Sequence, residues 1–110
     1  MKAAIAQINT AALRHNLAVV VVVFDNGAFG NVKRVQQQHY GNRLIASDLQ
    51  NPDFGKLADS FGIASFKATD PAQLETALHK AFALNAPALV WVPHGDVPSP
   101  WDMIMMPRVR

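Results

Sequence analysis

The stretch that decides the fold is Val19–Gly30, which reads VVVVVFDNGAFG. Its valines and Phe24 follow one another without a polar residue, which predicts a strand buried on both faces. The polar turn Asp25-Asn26-Gly27 ends that strand abruptly. In open parallel α/β sheets, ligands bind at the carboxyl ends of the strands, where loops and helix N-termini meet in one crevice. We therefore expect the chemistry of this protein between Phe24 and Gly30.

Helical and strand patterns alternate over the rest of the chain. Helical spacing of apolar residues, or the absence of helix breakers, predicts helices over residues 3–15, 31–38, 51–61 and 71–84. Strands are expected over residues 18–24, 63–68 and 88–92. This alternation predicts the α/β class: a parallel sheet of about three strands with flanking helices, in three layers, joined by right-handed crossovers.

Each predicted helix has an apolar face and a recognisable end. Asn16, Gly62 and Asn85 are helix stops, since Asn and Gly tolerate the left-handed conformation. Asn51, followed by Pro52, is the predicted N-cap of the third helix, and Asp70 that of the fourth. The predicted apolar faces are Ile5, Ile8, Ala12 and Leu13; Phe54, Leu57, Ala58 and Phe61; and Leu74, Leu78, Ala81 and Phe82.

Two segments lack a regular pattern. Residues 39–51 are either a lid over a ligand or a surface connection without ligand contact, and the pattern does not decide between them. The tail, residues 93–110, contains four prolines together with Trp101, Met103, Ile104, Met105 and Met106. Such an apolar and irregular tail is expected to pack against the domain or a partner.

Composition excludes several classes of protein. At 110 residues the chain is one domain, and its net charge of +2 comes from scattered cations, so no nucleic-acid footprint is expected. It has no cysteine, which removes disulfides and thiolate chemistry. The longest apolar run, Leu17–Phe24, is far shorter than the roughly 20 residues of a membrane span, and no signal-peptide pattern precedes it. We expect no membrane association and a cytoplasmic location.

The order of four segments gives the chain a family resemblance. VVVVVFDNGAFGNVKRVQ, NPDFGKLADSFGI, DPAQLETALHKAF and PALVWVPHGDVPSPW together resemble the carboxy-terminal, diphosphate-binding domain of thiamine diphosphate-dependent enzymes. Within that family the chain is most similar to the acetolactate synthase-like branch. The resemblance implies two cofactors, thiamine diphosphate and Mg²⁺. It also implies transferase or lyase chemistry on 2-keto acids such as pyruvate.

The resemblance also implies site residues. In the family, a motif that begins Gly-Asp-Gly ends in Asn-Asn, whose last Asn corresponds to Asn26 and supplies a side-chain oxygen to Mg²⁺. The backbone carbonyl two residues later, here that of Ala28, supplies another metal ligand. Asp25 replaces the first Asn. The cofactor-binding segment implied by the resemblance is thus Asp25, Asn26, Gly27, Ala28, Phe29 and Gly30.

The chain departs from the family upstream. No Gly-Asp-Gly precedes the first helix, the domain with the catalytic glutamate is absent, and Glu75 lies in the wrong segment to replace that glutamate. No catalytic residue is therefore assigned. We expect one truncated domain over residues 1–110, and we expect the valine strand to lack its neighbour. Its open edge predicts a homo-oligomer, or a complementing chain that supplies the missing half.

Two functions stay open at this point. One is a fragment of a thiamine diphosphate-dependent carboligase or decarboxylase, inactive alone but contributing part of the Mg²⁺-diphosphate site. The other is a non-catalytic α/β interaction module that has lost cofactor binding. Plainer interpretations exist for single residues as well. Asp25-Asn26-Gly27 is also an ordinary strand-ending turn, and Lys33 and Arg34 are either phosphate ligands or a solvated helix face. The four histidines show no metal spacing.

Overall fold

Helices and strands alternate as expected. The computed structural model describes residues 2–98 and 104. Helix α1 spans Lys2–Arg14, strand β1 Val20–Asp25, helix α2 Gly30–His39, helix α3 Phe54–Ser60, strand β2 Ala64–Lys67, helix α4 Pro71–Ala83 and strand β3 Ala88–Pro93. No helix in this part of the chain is both long enough and apolar enough to cross a membrane.

The three strands form one parallel sheet in the order β1-β3-β2. Val90 of β3 is in register with Val22 of β1 on one side and with Phe66 of β2 on the other. The α/β class with three parallel strands and flanking helices is confirmed. β3 is the central strand, and its residues Leu89 and Val90 have no solvent-accessible surface.

β1 is an edge strand within this sheet, and the prediction that both its faces are buried is wrong. Val23 packs into the core, whereas Val22 is exposed and Phe24 is 57% exposed on the opposite face. That face is open because α4 covers β2 and β3, and α2 has no buried residue. A run of valines specifies a strand, but it does not specify what covers it.

The core has one cluster of buried residues on each face of the sheet. Fewer apolar residues of each helix are buried in these clusters than predicted. Ile8 and Leu13 of α1 are exposed, and so is Phe82 of α4, which corrects their assignment to apolar faces. One cluster contains Ile5, Val23, Phe54, Ala58, Ile63 and Leu89. The other contains Ala68, Ala77, Ala81, Ala88 and Val90. On α4 the buried stripe runs through Ala77 and Ala81, and Phe82 lies outside it.

The helix ends confirm most of the predicted signals. Asn16, Gly62 and Asn85 have φ values of 51°, 68° and 46°, and the Asp70 side chain accepts a hydrogen bond from the Gln73 N–H. The N-cap predicted at Asn51 is wrong. Asp53 caps α3 instead, accepting from the Lys56 N–H at 3.0 Å.

The tail is described only in part. Pro93 ends β3, and residues 94–98 have no regular secondary structure. The apolar residues Trp101, Met103, Met105 and Met106 lie outside the described residues.

Candidate functional site

Asp25 is the last residue of β1, and its carboxylate holds three parts of the chain together. Oδ1 accepts from the Gly27 N–H at 3.0 Å and from Asn51 Nδ2 at 2.7 Å. Oδ2 accepts from Trp91 Nε1 at 3.2 Å. One side chain thus joins the turn, the segment before α3 and the central strand. Asn51 is bound here, which explains why it does not cap α3.

Asn26 is exposed, and its side chain folds back over the turn. Its Oδ1 accepts from the Ala28 N–H at 3.2 Å, and Gly27 has a φ of 65°, a conformation that favours glycine. A Cβ at Gly30 would lie 2.7 Å from Asn26 Nδ2. Glycine at the first position of α2 therefore makes room for the Asn26 amide.

Segment 40–51 is attached to this turn. The Phe29 N–H donates to the Ser47 carbonyl at 2.8 Å and the Leu49 N–H to the Gly27 carbonyl at 2.7 Å, around an isolated bridge between Ala28 and Asp48. In this pattern the Ala28 carbonyl accepts no backbone hydrogen bond from any described residue. Ser47 is buried and its hydroxyl has no partner among the described residues. The lid function expected of residues 39–51 stays a prediction, and His39 itself is the last residue of α2.

One ion pair lies beside the turn. Lys33 Nζ is 2.8 Å from Asp48 Oδ1, and this hydrogen-bonded carboxylate raises the pKa of Lys33, with a smaller contribution from Asp96. Lys33 therefore stays protonated throughout the neutral range. Arg34, one position further on, forms no ion pair with any described residue.

A polar cavity of about 270 Å³ opens between the Asn26 turn, α2 and the segment after β3. Its walls include Asn26, Lys33 and Arg34 on one side and His94 and Asp96 on the other. It lies at the carboxyl ends of two adjacent parallel strands, because the His94 N–H donates to the Asp25 carbonyl at 2.9 Å. This is the end of the sheet at which ligands bind in open α/β folds.

His94 and Asp96 were not predicted from the sequence. His94 Nδ1 lies 2.7 Å from the Gly95 carbonyl, so Nδ1 carries the proton and donates it, and the ring packs edge-on against Phe24 at 6.4 Å. Both residues follow β3 directly. They can be recognised as candidate site residues only when β3 is known to pair with β1, because that pairing brings them to the Asn26 turn. The sequence pattern does not predict this pairing.

Comparison with known proteins shows the family of the chain. The profile of the family described as "Thiamine pyrophosphate enzyme, C-terminal TPP binding domain" matches residues 3–92. The chain belongs to this family. The matched range contains every element from α1 to β3 except their outermost residues.

Relatives in the thiamine pyrophosphate enzyme family include synthases and lyases. The chain is 34% identical over 77 residues to the probable acetolactate synthase large subunit of Methanocaldococcus jannaschii, an alignment that covers 69% of this chain and 13% of that protein. It is 34% identical over 83 residues to the 2-hydroxyacyl-CoA lyase of Arabidopsis thaliana, covering 71% and 14%. The chain therefore spans about one seventh of the length of these curated relatives.

A solved structure shares the fold. Benzoylformate decarboxylase from Polynucleobacter necessarius superposes with a TM-score of 0.70 at 22% identity, over 82% of this chain and 17% of that one. At this identity the likeness supports the fold of the thiamine pyrophosphate enzyme domain and not a shared substrate.

The residues at the turn fit one side of a Mg²⁺-diphosphate group. Mg²⁺ prefers oxygen ligands in octahedral geometry, and the turn offers the Asn26 amide oxygen and the Ala28 carbonyl, both neutral. The Asp25 and Asp48 carboxylates are bound to protein donors, which leaves Asp96 as the acidic residue in the cavity wall. In the described part of the chain, no three His, Asp or Glu side chains are grouped to hold a metal.

Proposed function

We propose that this chain supplies one side of a Mg²⁺-thiamine diphosphate site in an enzyme that acts on 2-keto acids, in the manner of acetolactate synthase. The observation that carries this proposal is the position of the Asn26 amide, which lies in the wall of a polar cavity and is held over the turn by the Ala28 N–H. Family membership supports a thiamine diphosphate-binding domain, and the metal and the substrate class are our inference.

The chain's own residues bind and orient in this proposal. Asn26 and the Ala28 carbonyl would hold the cation, while Asp25 keeps the turn in its conformation by accepting from the Gly27 N–H. Arg34 forms no ion pair with a described residue and supplies positive charge to the cavity wall. When bound, thiamine diphosphate supplies the nucleophilic carbon that attacks a 2-keto acid. Among the described residues, Asp96 is the one acidic residue of the cavity wall, and Asp25 and Asp48 are bound to protein donors, so we infer that a further segment or chain completes the ligand set.

Isothermal titration of the full chain with thiamine diphosphate and Mg²⁺ tests this function. We expect micromolar binding that requires both components and that Asn26→Ala abolishes. Asn31→Ala is the matched control, because Asn31 is also exposed, lies on the first turn of α2 and is outside the cavity wall. Circular dichroism of each variant confirms that the fold is retained.

Gly30→Ala provides a second test of the Asn26 geometry. The added Cβ would contact the Asn26 amide, so binding should weaken while helix stability is unchanged or slightly higher, since Ala is preferred to Gly in a helix. The absence of detectable heat with the unmodified chain at millimolar ligand would contradict the cofactor site. The interaction module without cofactor would then be the better description.

A further inference from the structure

Residues 45–51, which we call the strap, lie antiparallel to the turn after β1. Each step forward along the turn corresponds to one step back along the strap. The contacts join Asp25 with Asn51, Gly27 with Leu49 and Phe29 with Ser47, around the bridge between Ala28 and Asp48. The strap therefore contacts the turn in one continuous register from the end of β1 to the start of α2.

This register sets the direction of the Ala28 carbonyl. Gly27 and Phe29 make the backbone hydrogen bonds to the strap, so the N–H and C=O groups of Ala28 face away from it. The N–H and C=O of one residue in an antiparallel pair point to the same side. Because the Ala28 N–H donates to Asn26 Oδ1, its carbonyl is directed to the side on which the Asn26 amide lies. The strap thereby orients one of the two proposed metal ligands.

Gln36 of α2 fastens the strap at its first residue. Its Nε2 donates to the Ile45 carbonyl at 3.0 Å, and its Oε1 accepts from the Ile45 N–H at 3.3 Å. Ile45 is 76% exposed, so its own side chain does little to hold it in place. The next residue, Ala46, has a φ of 53°, and a residue with a Cβ keeps such a conformation only where its surroundings impose it. The two hydrogen bonds of Gln36 supply that support.

We propose that Gln36 is a positioning residue for the cation site: by holding the strap at Ile45, it keeps the Ala28 carbonyl directed toward the side of the Asn26 amide. This inference rests on the proposed function, in which that carbonyl is a metal ligand. The ion pair of Lys33 with Asp48 also joins α2 to the strap, but the Asp48 carboxylate is exposed, and exposed ion pairs contribute little.

Amide hydrogen exchange of the full chain tests the fastening without a ligand. Gln36→Leu removes both hydrogen bonds and keeps a similar helix propensity, so the Phe29 and Leu49 amides should exchange at least tenfold faster. The Ala68 amide, which donates to β3, reports opening of the sheet and should change less than threefold. Gln7→Leu is the matched control, because Gln7 is an exposed glutamine of α1, and it should leave all three amides unchanged.

The Mg²⁺ requirement of cofactor binding tests the positioning. In Gln36→Leu, half-maximal binding of thiamine diphosphate should need at least fivefold more Mg²⁺ than in the unmodified chain. At saturating Mg²⁺ the two Kd values should differ less than twofold, because more metal compensates for a misdirected ligand and does not restore a site that has unfolded.

The possible results separate this inference from the proposed function. If the unmodified chain binds and Gln36→Leu has the same Mg²⁺ requirement, or if the Phe29 and Leu49 amides exchange at unchanged rates, the role of Gln36 alone is overturned. Faster exchange of the Ala68 amide in Gln36→Leu would show a general loss of stability and would overturn it as well. No binding by the unmodified chain would overturn the proposed function, and the inference with it.

Discussion

At the scale of single residues, Asp25 contacts three segments of the chain through one carboxylate. Replacing it with Ala leaves the Asn51 amide, the Trp91 indole and the Gly27 N–H without their acceptor. Hydrogen bonds to charged groups contribute about 1.5–3 kcal/mol each, not additively, so Asp25→Ala should lower the free energy of unfolding by about 3 kcal/mol. Urea denaturation of the purified chain measures this loss.

Asp48→Ala is the matched control for Asp25→Ala. Asp48 also accepts a hydrogen bond, in its case from the Lys33 ammonium, but its side chain is 71% exposed. Exposed ion pairs contribute less than about 1 kcal/mol. If Asp25→Ala and Asp48→Ala lower the free energy of unfolding equally, the three contacts of Asp25 are not the source of its loss of stability.

Exchanging alanine and glycine at Ala46 and Gly27 should change the stability of the chain in opposite directions. Both have positive φ, 53° and 65°, a region that costs a residue with a Cβ about 1–2 kcal/mol. We expect Ala46→Gly to stabilise the chain by up to about 1 kcal/mol, since glycine's extra freedom in the unfolded chain offsets part of the gain. Gly27→Ala should destabilise it, although no atom lies within 4 Å of the added Cβ. A lower melting temperature for Ala46→Gly would contradict this account of the loop.

The turn residues could be predicted from the sequence, and their partners could not. Asp25-Asn26-Gly27 ends a strand as its residue types require, and Asp70 caps α4 as predicted. Asn51 was assigned to the wrong role, because its contact with Asp25 spans 26 residues and leaves no local signal. An Asn before Pro is a good N-cap in isolation, but a carboxylate at 2.7 Å competes for its side chain.

At the scale of elements, α1 was predicted to within a residue or two, yet half of its apolar face is exposed. Ile5 and Ala12 are buried together with Asn9, whereas Ile8 and Leu13 are exposed. Periodicity gives the direction of an apolar stripe, and the neighbouring elements decide which part of the stripe is covered. The described residues cover only the narrow stripe that faces the core.

Asn9 gives a prediction for this stripe. Its side chain is 2% exposed and Nδ2 has no hydrogen-bond partner within the described part of the chain. Burial of an unpaired amide costs about 1–3 kcal/mol, so Asn9→Leu, which has similar volume, should raise the free energy of unfolding by about 1–2 kcal/mol. Chemical denaturation measures the gain, with Thr10→Leu on the exposed side of α1 as control. Equal effects of both substitutions would indicate helix propensity as their common cause.

At the scale of the whole molecule, the sequence predicts the class of the fold, and the end of the sheet at which we expected the site has a polar cavity. The sequence does not predict the strand order β1-β3-β2, because crossover lengths permit other arrangements. That order brings His94 and Asp96 to the Asn26 turn, so the second wall of the cavity was missed together with the topology.

The open edge of β1 leads to a prediction for the assembly. Val19, Val22 and Phe24 are exposed along or beside this strand. Exposed apolar side chains at an unpaired sheet edge favour association with another chain. We propose that the isolated chain self-associates through this edge unless a complementing chain covers it. Static light scattering should give a mass above 12.0 kDa that rises with concentration.

Phe24→Lys should shift this association toward monomer, because a lysine on an edge strand opposes pairing with another edge. Phe82→Lys is the matched control: Phe82 is a similarly exposed phenylalanine, 67% against 57%, but lies on helix α4 and not on the edge strand. A stable monomer of the unmodified chain at high concentration would contradict self-association. An interface formed by the β1 edge should be weakened by Phe24→Lys and not by Phe82→Lys. If both variants dissociate the assembly equally, non-specific contact between exposed apolar side chains holds it together.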